Sequence, residues 1–169
     1  MVTIANLALA GFMGTGKSTV GRVIADRLGM GFVDTDSEIE AAAGASIPDL
    51  FARGEALFRK YESVVCLQAA LGSGQVIALG GGALLNPNTR AAFEASALIV
   101  CLDASLDDIV ARVGADPHRP LFGDRAAVLD LLAARGEHYA SLPHHVETTG
   151  RTPAAVAEEV IALWNQHSR

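Results

Sequence analysis

At 169 residues the chain has the length of one domain with room for a sizeable core. Half of it is hydrophobic and only 19% is charged, which excludes an intrinsically disordered chain. A net charge of −6 and a pI near 5.3 leave no diffuse basic field for nucleic acid or an anionic membrane, so any anionic ligand must be held by local arginines and lysines.

The first predicted element is a strand over Ile4–Ala10, an apolar run without Gly or Pro that fits a fully buried parallel strand. It runs directly into Gly11-Phe12-Met13-Gly14-Thr15-Gly16-Lys17-Ser18-Thr19, which fits the phosphate-cradling pattern G-x-x-x-x-G-K-[ST]. Phosphates need several backbone N–H groups aimed into one concavity, and so tight a chain needs glycine at Gly11, Gly14 and Gly16. Beyond Ser18, Val20, Val23, Ile24 and Leu28 recur at helical spacing until Gly29 closes the segment. Strand, glycine loop and helix together predict a nucleoside-triphosphate site, with Lys17 on the β- and γ-phosphates and Ser18 on Mg²⁺.

Phe32-Val33-Asp34 reads as the end of a second strand, followed by Thr35 and Asp36. Two carboxylates one residue apart leave this strand at the end where α/β sheets place their ligands. Asp36 or Ser37 also suits the N-cap of a helix beginning near Glu38. Residues 37–72 read as helical, punctuated at Gly44, Pro48 and Gly54, and Arg59 falls one turn into the last helix. Val76–Leu79 is a third strand, and Gly80-Gly81-Gly82 at its end implies close backbone approach with N–H donors on offer. No Walker-B aspartate ends this strand, so Asp34 becomes the metal-side carboxylate.

A helix over Pro87–Ala95 precedes a fourth strand, Leu98–Leu102, ending at Asp103. The next helix, Leu106–Val113, carries Arg112, and residues 114–121 follow with two prolines, the composition of a mobile loop, and Arg119 inside it. Arg125–Tyr139 resumes helical spacing with Arg135 near its end, where the helix dipole favours a cation in any case. His145–Thr148 reads as a last strand, and Thr152-Pro153 as N-cap and first residue of a closing helix. Alternating strands and helices predict a three-layer α/β domain around a parallel sheet. Cys66 and Cys101 lack paired-ligand spacing and read as buried reduced thiols. No run is long enough for a membrane span, and the apolar N-terminus lacks a basic leader region, so a soluble protein is expected.

In order along almost the whole chain, these landmarks resemble the shikimate kinase family: the P-loop, Asp34-Thr35-Asp36, Gly54-Glu55 with Phe58-Arg59, Gly80-Gly81-Gly82, Arg119-Pro120-Leu121, and Arg135 with Tyr139. The resemblance implies a P-loop NTPase fold like that of nucleoside-monophosphate kinases, with a five-stranded parallel sheet. It implies one kinase domain over 1–169, with the P-loop at 11–19, a substrate-binding helical segment at about 35–62 and a lid at about 113–125. The implied activity is transfer of the ATP γ-phosphate to the 3-hydroxyl of shikimate in aromatic amino-acid biosynthesis. Gly14, Thr15, Gly16, Lys17, Ser18 and Thr19 would hold ATP, flanked at adenine by Arg112, Arg151 and Pro153. Ser18 and Asp34 would serve Mg²⁺, Asp34 through water. Asp36 would bind shikimate hydroxyls, one of them the nucleophile. Arg59 and Arg135 would hold the shikimate carboxylate, Gly80, Gly81 and Gly82 would line that pocket with N–H groups, and Arg119 would meet the transferring phosphoryl group. Lys17, Asp36 and Arg119 are thus the implied catalytic residues.

Two stretches depart from the family pattern. The Phe51–Phe58 interval is one residue shorter than usual between paired pocket phenylalanines, leaving the place of Phe51 open. Ser141-Leu142-Pro143-His144-His145 puts proline where continued helix is expected, and the adjacent histidines read as surface residues rather than metal ligands. The alternatives are another small-molecule kinase of this fold, such as gluconate kinase, or a nucleotide-binding module without catalysis. Arg59, Arg135 and the triple glycine favour shikimate over the first; the presence of Lys17, Asp36, Arg59, Arg119 and Arg135 argues against the second. A cytoplasmic monomer with shikimate as small-molecule partner, and no nucleic-acid or membrane partner, completes the expectation.

Overall fold

The computed structural model describes residues 4–114 and 125–168. Arg119, with residues 115–124 of the expected lid, lies outside them. Five parallel strands, β1 (Asn6–Ala10), β2 (Gly31–Asp34), β3 (Gln75–Ala78), β4 (Ala97–Asp103) and β5 (His145–Glu147), form one sheet in the order β2-β3-β1-β4-β5. The strand order reverses about β1, which makes the carboxyl end of β1 a switch point where α/β sheets open a ligand crevice.

Alternation along β1 sends Leu7 and Leu9 to one face and Ala8 and Ala10 to the other. Leu7 and Leu9 pack with Val20, Ile24 and Ala25 of α1 (Lys17–Leu28) and with Val156 and Val160 of α8 (Pro153–His167). Ala8 and Ala10 leave room for Cys66 of α4 (Glu55–Leu71), Phe93 of α5 (Pro87–Ser96) and Tyr139 of α7 (Arg125–Ala140). These two apolar layers make the predicted three-layer arrangement, each fully buried Leu or Ile contributing roughly 1.5–3 kcal/mol. A satellite cluster of Ile39, Leu50, Phe58 and Val65 ties α2 (Thr35–Ala43) and α3 (Ile47–Ala52) onto α4. α6 (Leu106–Gly114) joins the second layer through Ile109 and Val113.

The expected helical stretch 37–72 is three helices, α2, α3 and α4, separated at Gly44 and Gly54. The first of them begins at Thr35, and its N-cap is Asp34 rather than Asp36 or Ser37. The Asp34 carboxylate accepts from the Asp36 and Ser37 N–H groups, satisfying two donors that a cap at Asp36 would have left inside the turn. The unusual Ser141–His145 stretch is the bend between α7 and β5. The His144 carbonyl accepts from Cys101 N–H, and His145 bonds Asp103 at 2.8 Å, while the His144 ring packs against His167. Both cysteines are buried and free, and among the described residues no helix is long and apolar enough to cross a membrane.

α1 lies so close to β2 that a methyl group on Gly21 would come within 2.7 Å of the Phe32 ring. Gly21→Ala should therefore force Phe32 aside and cost about 1–3 kcal/mol of stability. Urea unfolding measures the loss, and an unchanged midpoint would show that this contact yields freely.

Candidate active site

The site begins where β1 turns into the P-loop. Gly11 sits at φ 130°, and a side-chain carbon there would lie 2.4 Å from the Leu102 carbonyl oxygen, so only glycine lets the chain pass β4. α1 then starts at Lys17 with Gly16 as N-cap and no side chain capping its first turn. Its leading N–H groups and positive dipole end therefore face the concavity, where an anion is the natural partner. Buried Thr15 braces the loop by donating to the Phe12 carbonyl at 2.9 Å. Lys17 Nζ lies folded onto the loop, donating to the carbonyls of Gly11 (2.9 Å) and Phe12 (2.8 Å).

The parallel pairing of Asp34 with Ala78 brings the end of β2 level with the end of β3. Ser18 donates to Asp34 Oδ2 at 2.5 Å, while Asp34 Oδ1 caps α2, so the carboxylate is fixed from both sides. A hydroxyl and a carboxylate so close are hard oxygen donors of the kind Mg²⁺ prefers.

Beyond Ala78, three successive glycines meet three different charged side chains. A methyl on Gly80 would lie 2.8 Å from Asp36 Oδ1, one on Gly81 3.2 Å from a terminal nitrogen of Arg135, and one on Gly82 2.8 Å from a terminal nitrogen of Arg59. The space a side chain would fill is thus occupied by the carboxylate and the two guanidiniums. The Gly80 N–H is already taken by the Thr35 hydroxyl at 2.9 Å, so Gly80 lines the site by its small size and not as a donor. The Gly81 and Gly82 N–H groups have no partner among the described residues.

Arg59 is gripped by two carboxylates of its own helix, Glu62 at 2.7 Å and Glu55 at 3.2 Å. Glu62 is buried, and burial pushes its carboxyl above the ordinary range. Arg59 opposes that rise by hydrogen bond and charge, the Asp36 charge adds to it, and Arg135 opposes it. Sequence reasoning passed over Glu62, although its position three residues after Arg59 on a helix was the available signal. Phe51 stacks on Phe58 with ring centroids 4.5 Å apart and remains 39% exposed, and the Arg59 guanidinium lies 5.2 Å from the Phe58 centroid.

On the far side of Gly16 a groove runs between α1 and α8, lined among others by Thr15, Thr19, Arg112, Thr148, Arg151 and Pro153. Arg112 donates to the Gly14 carbonyl (3.1 Å) and to Thr148, and pairs with Asp108 at 3.0 Å. Arg151 is held by Glu159 at 2.7 Å and by the Glu147 carbonyl. Thr148, also missed in sequence, is buried and anchors this wall by donating to the Asp103 carbonyl. The structure therefore gathers Lys17, Ser18, Asp34, Asp36, Arg59, Gly80–Gly82 and Arg135 at one crevice, with Arg112, Arg151 and Pro153 on its extension.

The Shikimate kinase family model matches residues 13–165. The shikimate kinase of Geobacter sulfurreducens is 39% identical over 166 residues, which span 96% of this chain and 92% of that one. Among solved structures, shikimate kinase from Acinetobacter baumannii in complex with shikimate superposes with a TM-score of 0.91 at 33% identity, covering 98% of this chain and 95% of that one. A gluconokinase from Sinorhizobium meliloti, at 18% identity and a TM-score of 0.64 over 99% of this chain and 95% of its own, shares the fold alone.

Because burial raises the Glu62 carboxyl, the folded protein binds that proton more tightly than the unfolded chain does. The group's contribution to stability is complete below the unfolded value of about 4.3 and declines as pH climbs through the raised folded value. Glu62→Gln cannot titrate, so the stability of the variant relative to the native protein should rise across that window. Urea midpoints measured from pH 4 to 7 check this, and parallel curves would contradict the buried titration.

Proposed function

The chain belongs to the shikimate kinase family and transfers the ATP γ-phosphate to the 3-hydroxyl of shikimate, giving shikimate 3-phosphate and ADP in aromatic amino-acid biosynthesis; we propose how its residues divide that work. The observation that carries the assignment is the meeting of Asp36, Arg135 and Arg59 with three consecutive glycines beside the P-loop. A small polyol with one carboxylate matches that set. Planar guanidinium forks suit the carboxylate, and a lone carboxylate suits the hydroxyls.

Gly14 to Thr19 cradle the phosphates with backbone N–H groups and the start of α1, and adenine lies in the groove walled by Arg112, Arg151 and Pro153. Lys17 leaves the Gly11 and Phe12 carbonyls for the β- and γ-phosphates, exchanging neutral acceptors for charged ones. Ser18 and, through water, Asp34 are the residues that would hold Mg²⁺. When bound, that ion would supply neutralisation of the phosphate charge. Arg59 and Arg135 fix the shikimate carboxylate with the Gly81 and Gly82 N–H groups. Asp36 accepts a hydrogen bond from the attacking 3-hydroxyl and receives its proton, as the oxygen–phosphorus bond forms and the bond from phosphorus to the β–γ bridging oxygen breaks. Positioning and charge stabilisation supply most of the acceleration in such a reaction. By family likeness Arg119, on a lid over about 113–125, meets the transferring group, and residues about 35–62 form the substrate-binding segment of a single kinase domain. The reading carries with it a monomeric cytoplasmic enzyme that binds neither nucleic acid nor membrane.

Coupled measurement of ADP release with ATP and Mg²⁺ tests the acceptor. Shikimate should support turnover well above quinate, gluconate or no acceptor, and a preference for gluconate would move the function to the other kinase. Arg135→Ala should raise KM for shikimate about tenfold or more while KM for ATP stays within about twofold. Equal shifts in both would remove Arg135 from the carboxylate. Asp36→Asn should lower kcat by about 10²–10⁴-fold, and retained kcat would end its role as proton acceptor.

A further inference from the structure

Three glycines make a good anion receptor only if their peptide planes point the same way in every molecule, and glycine itself imposes no direction. Here each successive peptide is held by a defined partner. The Leu79–Gly80 peptide is held through its N–H, which donates to the Thr35 hydroxyl at 2.9 Å. The Gly80–Gly81 peptide is held through its carbonyl by the Ala83 N–H at 3.1 Å. The Gly81–Gly82 peptide is held through its carbonyl by the Tyr139 hydroxyl at 2.6 Å. In a planar trans peptide the N–H points opposite to the carbonyl. Tyr139 therefore aims the Gly82 N–H, as Ala83 aims that of Gly81.

Both hydroxyls are themselves fixed. Thr35 is fully buried and donates to the Ala78 carbonyl at 3.2 Å, so its lone pairs face Gly80. Tyr139 is buried edge-on to Phe12, with ring centroids 6.4 Å apart, and burial raises its phenol, which keeps it a donor. Their places in the chain tie them to recognition of the acceptor. Thr35 immediately precedes Asp36, and Tyr139 follows Arg135 by one helical turn.

We propose that Thr35 and Tyr139 are positioning residues that orient the triple-glycine loop, so that the Gly81 and Gly82 N–H groups meet the carboxylate-bearing acceptor in register with Asp36 and Arg135. This rests on the assignment of the acceptor site above. Neither residue touches the reacting atoms; each acts through the loop backbone.

The test compares Thr35→Val, Thr35→Ser and Tyr139→Phe in steady-state kinetics with both substrates varied. Val and Phe keep the volume and remove one hydroxyl, and each should raise KM for shikimate about tenfold, the scale of one lost buried hydrogen bond, with KM for ATP within about twofold. Thr35→Ser keeps the hydroxyl and should stay within about threefold of wild type. If Thr35→Val does not fold, Tyr139→Phe decides, because the phenyl ring preserves the contact with Phe12. An unchanged KM for shikimate in Tyr139→Phe, equal rises for both substrates, or a serine variant as impaired as the valine one would overturn the proposal. Wild-type protein without shikimate turnover would overturn it together with the acceptor assignment, whereas normal wild type with unaffected variants would overturn it alone.

Discussion

The parallel pairing of β1 with β3 runs one residue past the end of β3, where the Leu79 N–H still donates to the Leu9 carbonyl at 2.9 Å. Everything functional hangs from that alignment. It sets the P-loop, which leaves β1, beside the triple glycine, which leaves β3. The next pairing, Asp34 with Ala78, brings the carboxylates at the end of β2 level with both. A shift in that alignment would carry Asp36 away from Gly80 and Ser18 away from Asp34, since strand residues are spaced about 3.3 Å apart. The P-loop, the carboxylates after β2 and the triple glycine thus meet at the carboxyl end of a sheet whose two faces are locked by apolar layers.

In this acidic chain the guanidiniums of Arg59, Arg112 and Arg151 around the crevice are paired with the chain's own carboxylates. Arg59 shares itself between Glu55 and Glu62, Arg112 between Asp108 and the Gly14 carbonyl, and Arg151 between Glu159 and the Glu147 carbonyl. Lys17 rests on two loop carbonyls. Each of these charges is already held by protein partners. Each guanidinium also has its plane fixed, so less side-chain entropy is lost on binding. The buried Glu62 is the extreme case. It is only 5% exposed and is held in place by the arginine it pairs with.

Much of this was legible in the chain. The strand–glycine–helix transition at Gly11–Lys17 follows local rules of sterics and periodicity, as do the Thr152–Pro153 helix start and the strand order of secondary structure. Asp34 and Asp36 stand out as two carboxylates leaving a strand end, whereas Arg59 and Arg135 stand out only through the resemblance to the shikimate kinase family. The α2 cap was misplaced by two or three residues because Asp34, Asp36 and Ser37 are all competent caps. Only the end of β2 decides which of them stands at the turn.

Sequence by itself therefore determined the fold class and the phosphate-binding loop. Both follow from short-range steric limits on glycine and from apolar spacing that adjacent residues encode. The expected roles of Arg59 and Arg135 came only with the family resemblance. The tertiary structure alone decided which partner the loop peptides have: that Thr35 consumes the Gly80 N–H, and that Tyr139 reaches the Gly81 carbonyl. Those contacts join segments up to 58 positions apart. Their partners are chosen by the packing of α2 and α7 around the end of the sheet, and no local pattern carries that choice.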